Sequence, residues 1–214
     1  MRLAPGVFAA LAVAFFSASC LVVDPRNQAR SQPIAAQGER PGPQIHLFRG
    51  FANVFSLGMD ILAAEIEETG VDAAVHNHLL WLPIAEDIVK RRQEDGRNRP
   101  IVLIGHSLGA GAVVGIARHL AKQEIRVDLL VMVGLVGGAT LPANVVRALN
   151  IEPHRVDGIV VGAPGFRGEI VDIGLRDDLD ASWTNHFTME SNAELHSLVV
   201  GEISRAVRRA RTGS

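Results

Sequence analysis

The sequence contains one abrupt junction, where an uninterrupted apolar run meets a helical pattern across a short segment bounded by glycines. Residues 101–117 read IVLIGHSLGAGAVVGIA. An apolar run without alternation is typical of a strand that is covered on both faces, as in parallel sheets. The junction therefore predicts a buried parallel strand that turns sharply into a helix.

Apolar runs and helical patterns alternate along the chain from residue 45 onward. Strands are predicted at 45–48, 71–78, 99–107, 127–136, 156–162 and 169–175, and helices at 57–70, 82–96, 110–124, 143–150 and 192–210. Alternation of this kind builds βαβ units around a parallel sheet. The sequence predicts a single α/β domain with a mostly parallel sheet, helices on both faces and a minimal lid.

The N-terminal residues differ from the rest of the chain. Residues 1–23 read MRLAPGVFAALAVAFFSASCLVV, which places an early positive charge before an apolar stretch and small residues. This is the layout of a secretory signal peptide. Cys20 is the single cysteine, and the small residues before it resemble a bacterial lipoprotein cleavage site, with Ser17 where leucine is usual.

These features divide the chain into three predicted parts. Residues 1–19 form a signal peptide or anchor, residues 20–44 a tether rich in Pro, Gln, Arg and Ala, and residues 45–214 the α/β domain. We expect an exported protein that is periplasmic or membrane-anchored. The attachment has two open forms, a lipid on Cys20 or the apolar stretch itself.

Composition excludes some partners. The formal net charge is −2, and 48% of the residues are hydrophobic. An ordinary globular composition without a basic stripe gives no reason to expect nucleic acid. We expect a small-molecule or lipid partner instead.

The segment Gly105-His106-Ser107-Leu108-Gly109 fits the pattern G-x-S-x-G at a strand-to-helix turn. In this setting the glycines allow close backbone approach, and the serine is lifted on a strained corner. A phosphate-binding P-loop would need a lysine after the last glycine, and none follows Gly109. The motif therefore predicts that Ser107 is a nucleophile.

These residues resemble the α/β-hydrolase superfamily over 45–211. The segment IVLIGHSLGA is similar to the elbow of its lipases, esterases and thioesterases, and LFRGF at 47–51 is similar to its oxyanion loop, with Arg49 in place of the usual histidine. The resemblance implies an oxyanion hole formed by the backbone N–H groups of Phe51 and Leu108. It also implies chemistry that needs no metal or cofactor.

The base is sought among the histidines that follow Ser107. His186, in TNHFTM, resembles the C-terminal histidine loop of that superfamily, so we assign it as the base. His196 is interpreted as a helix-face residue, and His106 as pointing away from the serine. The other histidines are interpreted as packing, surface or loop residues, with a metal pair at His76 and His78 as an alternative.

The acid of a triad is harder to place. Related bacterial sequences carry aspartate after the fourth strand, where this chain has Gly134. Asp172 interrupts an apolar strand, and a carboxylate there needs a partner. We therefore predict Asp172 as the acid, with Asp178 as the next candidate. The acids Asp157, Asp177 and Asp180 also stay open.

The sequence thus predicts a serine hydrolase of carboxylic esters, lipase- or esterase-like, that works through a Ser107-His186-Asp172 triad and an acyl-enzyme. Lipid esters and thioesters remain open as substrates. The alternatives are a non-catalytic binding module on a hydrolase scaffold and a structural lipoprotein of the cell envelope.

Overall fold

The computed structural model describes residues 42–51, 57–95, 99–156, 158–179 and 185–212. All of them lie in a compact unit that spans residues 38–214. The predicted signal segment and tether fall outside the described residues, apart from residues 42–44. None of the helices in the described ranges has the length and apolar character needed to cross a membrane.

The described residues contain eight strands: β1 (Gln44–Arg49), β2 (Ala73–Asn77), β3 (Ile101–His106), β4 (Leu129–Val133), β5 (Ala139–Leu141), β6 (Arg147–Glu152), β7 (Val160–Gly162) and β8 (Glu169–Gly174). Six of these strands form one parallel sheet in the order β2-β1-β3-β4-β6-β8. The predicted α/β class with a mostly parallel sheet is confirmed. We call the end of the sheet at which the six parallel strands terminate the carboxyl edge. The end at which they begin is the amino edge.

The strand order reverses direction between β1 and β3. Connections on either side of such a point diverge, which leaves a crevice at the carboxyl edge where α/β proteins bind ligands. Strands β3 and β4 are buried along their whole length, as the apolar run at 101–106 predicts. The Gly-bounded junction therefore lies in the centre of the sheet, beside the switch point.

Five helices accompany these strands in the described residues: α1 (Gly58–Glu68), α2 (Trp81–Asp95), α3 (Leu108–Ala121), the single turn α4 (Leu175–Asp178) and α5 (Ala193–Thr212). Short 3₁₀ turns lie at His78–Leu80 and Met189–Ser191. The apolar side chains of α2 and α3 pack in one core, and those of α1 and α5 pack in the other. Helices therefore cover both faces, as predicted.

Strands replace helices in two connections. β5 and β7 pair with each other in parallel, and Leu141 and Val160 bury their side chains in the same core as α3. The helix predicted at 143–150 is wrong, because residues 147–152 form β6 between β4 and β8. Its Arg, Ala and Leu residues favour helices, and pairing on both sides of a buried strand overrides that preference.

A largely buried ion pair joins the amino end of β6 to α5. The Arg147 guanidinium donates to both carboxylate oxygens of Glu202 at 2.8 and 3.1 Å. Only 13% of the Arg147 side chain and 3% of the Glu202 side chain are exposed. Because a buried charge is costly without a partner, this bidentate pair fixes the position of α5 against the sheet.

Replacing Arg147 by Met should lower the free energy of unfolding by about 3 kcal/mol, because it leaves the buried Glu202 carboxylate with Arg205 alone. Urea-induced unfolding followed by circular dichroism measures the change. Lys90→Met is the matched control, since the Lys90–Glu94 pair is 71% and 63% exposed and should contribute less than about 1 kcal/mol. Equal effects of the two substitutions would contradict the assignment.

Candidate active site

Ser107 occupies the sharp turn between β3 and α3. Its backbone has φ 55° and ψ −116°, a combination that costs a non-glycine residue roughly 1–3 kcal/mol and persists only where surrounding contacts impose it. The Ser107 N–H donates to the Val133 carbonyl at 2.8 Å, which ties the turn to the end of β4. The hydroxyl is therefore held at the carboxyl edge, at the N-terminus of α3.

Glycines permit this turn because backbone meets backbone on both sides of the serine. A Cβ at Gly105 would lie 2.1 Å from the Gly109 carbonyl oxygen, and a Cβ at Gly109 would lie 2.1 Å from the Phe48 carbonyl oxygen. No side chain fits at either distance. The first contact closes the turn, and the second presses it against β1.

His186 brings its imidazole to this hydroxyl. The distance from His186 Nε2 to Ser107 Oγ is 3.2 Å, which is within hydrogen-bond reach for a base and a nucleophile. The Asn185 side-chain oxygen accepts from the Phe187 N–H at 2.9 Å, an Asx turn that shapes the loop. The structure thus brings together two residues predicted from the sequence, 79 positions apart.

His106 holds the His186 backbone. Its Nε2 donates to the His186 carbonyl oxygen at 3.0 Å, and the two rings are 5.5 Å apart. Burial lowers the pKa of His106, and its hydrogen bond to the carbonyl opposes that shift. His106, which lies between Gly105 and Ser107, therefore positions the backbone of the base. The motif pattern does not predict this role.

His196 forms a second brace behind the same loop. It is buried, with Nδ1 3.0 Å from a Glu65 carboxylate oxygen on α1 and Nε2 2.9 Å from the Glu190 carbonyl oxygen. Glu190 is itself buried, and burial raises the pKa of its carboxyl. His196 thus lies on a helix face, where its contacts hold the 3₁₀ turn that follows His186.

Gly134 lies against the other ring nitrogen of His186. A Cβ at position 134 would be 2.9 Å from His186 Nδ1, so the chain leaves β4 in van der Waals contact with the imidazole. This is the position where the α/β-hydrolase resemblance led us to look for an aspartate. Within the described residues, no carboxylate is hydrogen-bonded to His186.

The predicted acids have other partners. The Asn150 side-chain amide donates to Asp172 at 2.7 Å, and the Gly174 N–H donates to Asp178 at 2.8 Å. Asp177 lies 3.2 Å from His154. Asp157 and Asp180 fall outside the described residues. The structure does not join Asp172 or Asp178 to His186, so the acid assignment stays a prediction without a supporting contact.

Glu152 is a carboxylate near the site that the sequence analysis overlooked. It ends β6, and its side chain accepts from the Leu135 N–H at 2.8 Å. Burial raises the pKa of Glu152 to about 7, and the Leu135 hydrogen bond partly opposes the shift. Glu152 therefore fixes the backbone next to Gly134, against which the imidazole packs. Because the sequence analysis interpreted residues 143–150 as a helix, it did not place Glu152 at the end of a strand.

The predicted oxyanion donors follow β1 and β3, which are neighbouring strands of the sheet. Leu108 is the first residue of α3, where helix geometry leaves backbone N–H groups without intrahelical acceptors. Phe51 lies two residues beyond β1 and is largely exposed. Arg49, in place of the usual histidine, forms a bidentate ion pair with Asp60 on α1. These contacts anchor the start of the Phe51 loop, and the oxyanion role itself stays a prediction.

Two of the other histidines form a stacked pair. His46 and His76 stack with 3.0 Å between Nδ1 and Nε2. Burial and their neighbours lower the pKa of His46 to about 3 and that of His76 to about 4. In the part of the chain that the structure describes, no group of three or more His, Cys, Asp or Glu residues could hold a metal ion. His76 Nε2 is engaged with His46, and the metal pair at His76 and His78 stays an untested alternative.

No protein-family model and no curated protein matches this chain. It is similar in structure to RedJ, a thioesterase from the prodiginine biosynthetic pathway in Streptomyces coelicolor, with 13% identity over 88% of this chain and 97% of that chain and a TM-score of 0.44. RedJ with a PEG molecule bound in its active site is similar at 13% identity over 80% and 95% of the chains, with the same TM-score of 0.44. Likeness at this level has no bearing on the chemistry of the site.

Two glycines at the start of α3 give a direct test of the turn. Gly109→Ala should prevent folding or cost several kcal/mol, since the new Cβ would meet the Phe48 carbonyl oxygen. Gly111→Ala is the matched control, because a Cβ there meets nothing within 4 Å. That substitution should stabilise the protein by about 0.5–1 kcal/mol through helix propensity. Thermal unfolding distinguishes the pair, and a well-folded Gly109→Ala variant would contradict the packing described.

Proposed function

We propose that this protein is a serine hydrolase that cleaves carboxylic esters, including thioesters, through an acyl-enzyme on Ser107. The observation that carries the proposal is the 3.2 Å contact between Ser107 Oγ and His186 Nε2, made by a serine in a strained backbone conformation. Strain at such a residue is retained when surrounding structure imposes it, and it concentrates at functional sites.

The proposed reaction has two halves. Ser107 Oγ attacks the substrate carbonyl carbon while its proton passes to His186 Nε2. The tetrahedral intermediate then breaks its bond to the leaving group, which takes that proton. Water attacks the resulting acyl-enzyme by the same route, and His186 takes the water's proton and returns it to Ser107. The N–H groups of Phe51 and Leu108 would stabilise the oxyanion, and losing one such donor typically costs about 10²–10³ in rate.

The imidazole needs its proton on Nδ1 in order to accept at Nε2. In most triads an acid selects this tautomer, and among the described residues no carboxylate contacts Nδ1. Orientation is supplied instead by the backbone, through the His106 hydrogen bond to the His186 carbonyl and the Gly134 contact with the ring. We infer that the enzyme works with a well-positioned Ser–His pair. Glu152 then positions the backbone at Leu135 and Gly134, against which the imidazole packs.

The alternative of a binding module on a hydrolase scaffold is supported by the fact that no carboxylate among the described residues contacts His186. A module of this kind would use the same crevice without activating Ser107. Covalent labelling distinguishes the two functions, because a fluorophosphonate reacts with an activated serine only.

Ser107→Ala should abolish both fluorophosphonate labelling and hydrolysis of p-nitrophenyl butyrate, and His186→Ala should lower turnover by at least about 10³-fold. His196→Ala separates stability from catalysis, since it removes a buried contact that touches neither Ser107 nor the His186 side chain. It should lower the melting temperature more than the turnover of the folded protein. A folded wild-type protein that resists the probe would instead identify a binding module.

The acid assignment is tested by three substitutions. Asp172→Asn should change turnover less than about tenfold, because its carboxylate bonds Asn150 and not His186. Glu152→Ala should lower kcat more than Asp172→Asn does, since it frees the Leu135 N–H. Glu152→Gln keeps an acceptor for that N–H and should restore most of the loss in kcat. If Asp172→Asn abolishes turnover, the sequence prediction of a triad acid is correct and our interpretation of Glu152 is wrong.

A further inference from the structure

Exposed apolar side chains concentrate around the Ser107–His186 pair. Leu108 and Phe187 each follow one of the two residues in sequence and are 43% and 73% exposed. Others follow the carboxyl ends of β1, β2 and β4, among them Phe51, Leu57, Leu79 and Val136. We call these six residues the apolar rim. Single exposed apolar residues are common on proteins, but a cluster that surrounds a site marks a binding surface.

Charged residues are scarce in the segments that follow β1 to β4. The sequence has no Lys, Arg, Asp or Glu in residues 50–58, 78–85, 107–117 or 134–146, the segments that follow β1 to β4. In contrast, the connection at 122–128 on the amino edge reads KQEIRVD. The carboxyl edge is therefore uncharged where it follows β1 to β4, apart from the Arg49–Asp60 ion pair, whereas the segments after β6 and β8 contain charged residues. Little is lost when water is removed from the uncharged part.

The occupant of this surface has to leave Ser107 within reach of substrate. A protein seated permanently on the rim would cover the serine, whereas a lipid layer is both an apolar surface and a source of esters. We propose that the apolar rim docks on a zwitterionic lipid surface, so that Ser107 faces ester groups in that layer. The docking rests on the rim alone, and the orientation toward esters rests on the proposed function.

The chain before β1 is long enough to permit this orientation. Residues 3–23 contain no charged side chain and are predominantly apolar, as expected of a segment held at a membrane. Residues 24–43 can span at most about 70 Å when fully extended. A six-residue strand is about 20 Å long, so a domain attached at the amino edge can still turn its carboxyl edge toward the same membrane.

Tryptophan fluorescence separates docking of the rim from insertion of the N-terminal segment. The two tryptophans of the chain are Trp81 and Trp183, so residues 1–44 contribute no emission. Trp81 begins α2, directly after the turn that carries Leu79. Vesicles of phosphatidylcholine brominated on its acyl chains quench only fluorophores that come close to the lipid.

The full-length protein is titrated with these vesicles in four forms. Wild type and Ser107→Ala should be quenched equally, since docking does not require catalysis. Leu79→Glu/Val136→Glu should bind the vesicles through the rim at least about tenfold more weakly, which corresponds to about 1.4 kcal/mol. Val161→Glu, at an exposed position on β7, is the matched control and should behave as wild type.

Absence of quenching in wild type, or equal quenching of the double variant, would overturn the proposal. If the apolar rim binds another protein and not lipid, the wild type will not be quenched. The outcome is independent of the proposed function, because quenching of Ser107→Ala reports docking alone. A protein that is quenched but not labelled by the fluorophosphonate would keep the docking surface and lose the hydrolase.

Discussion

The candidate site depends on one steric constraint, the direct contact of backbone with backbone where β3 turns into α3. Gly105 closes the turn on Gly109, and Gly109 closes it on the Phe48 carbonyl of β1. These contacts hold Ser107 at a positive φ, and the burial of β3 and β4 on both faces supplies the energy that maintains this strain. The position of the hydroxyl is thus determined by the sheet and not by the loop that carries it.

The base, His186, is positioned by side-chain hydrogen bonds and not by the backbone contacts that fix Ser107. His186 lies between β8 and α5, outside the sheet. Two histidines fix its surroundings: His106 bonds the His186 carbonyl, and His196 bonds the Glu190 carbonyl in the 3₁₀ turn that follows. A neutral His106 can keep its proton on Nε2 for the His186 carbonyl, and burial favours that neutral form.

Residue patterns predicted the parts of the molecule that depend on local chemistry. The unbroken apolar run at 101–106 identified the central strand, and the Gly-x-Ser-x-Gly spacing identified the turn. The order of histidines along the chain led to His186. Each of these signals lies within a short window, where the physical requirement acts on neighbouring residues.

The features that escaped prediction depend on contacts between distant segments. Strand β6 resembles a helix in composition, and only its pairing with β4 and β8 makes it a strand. Glu152 went unnoticed for the same reason, since its place at the carboxyl edge follows from that pairing. The Asp172 assignment relied on the need of a buried carboxylate for a partner. Asn150 on the neighbouring strand is that partner, because its side-chain amide donates to Asp172. No local pattern records which partner a buried group will find.

The Arg147–Glu202 pair affects when the Ser107–His186 pair is completed during synthesis of the chain. It anchors α5, the helix that carries His196, so the surroundings of the His186 loop depend on a segment that is synthesised well after Ser107. During translation Ser107 leaves the ribosome long before that helix does. A nascent or C-terminally shortened chain would carry the hydroxyl without a fixed partner, and synthesis of the last helix would complete the pair.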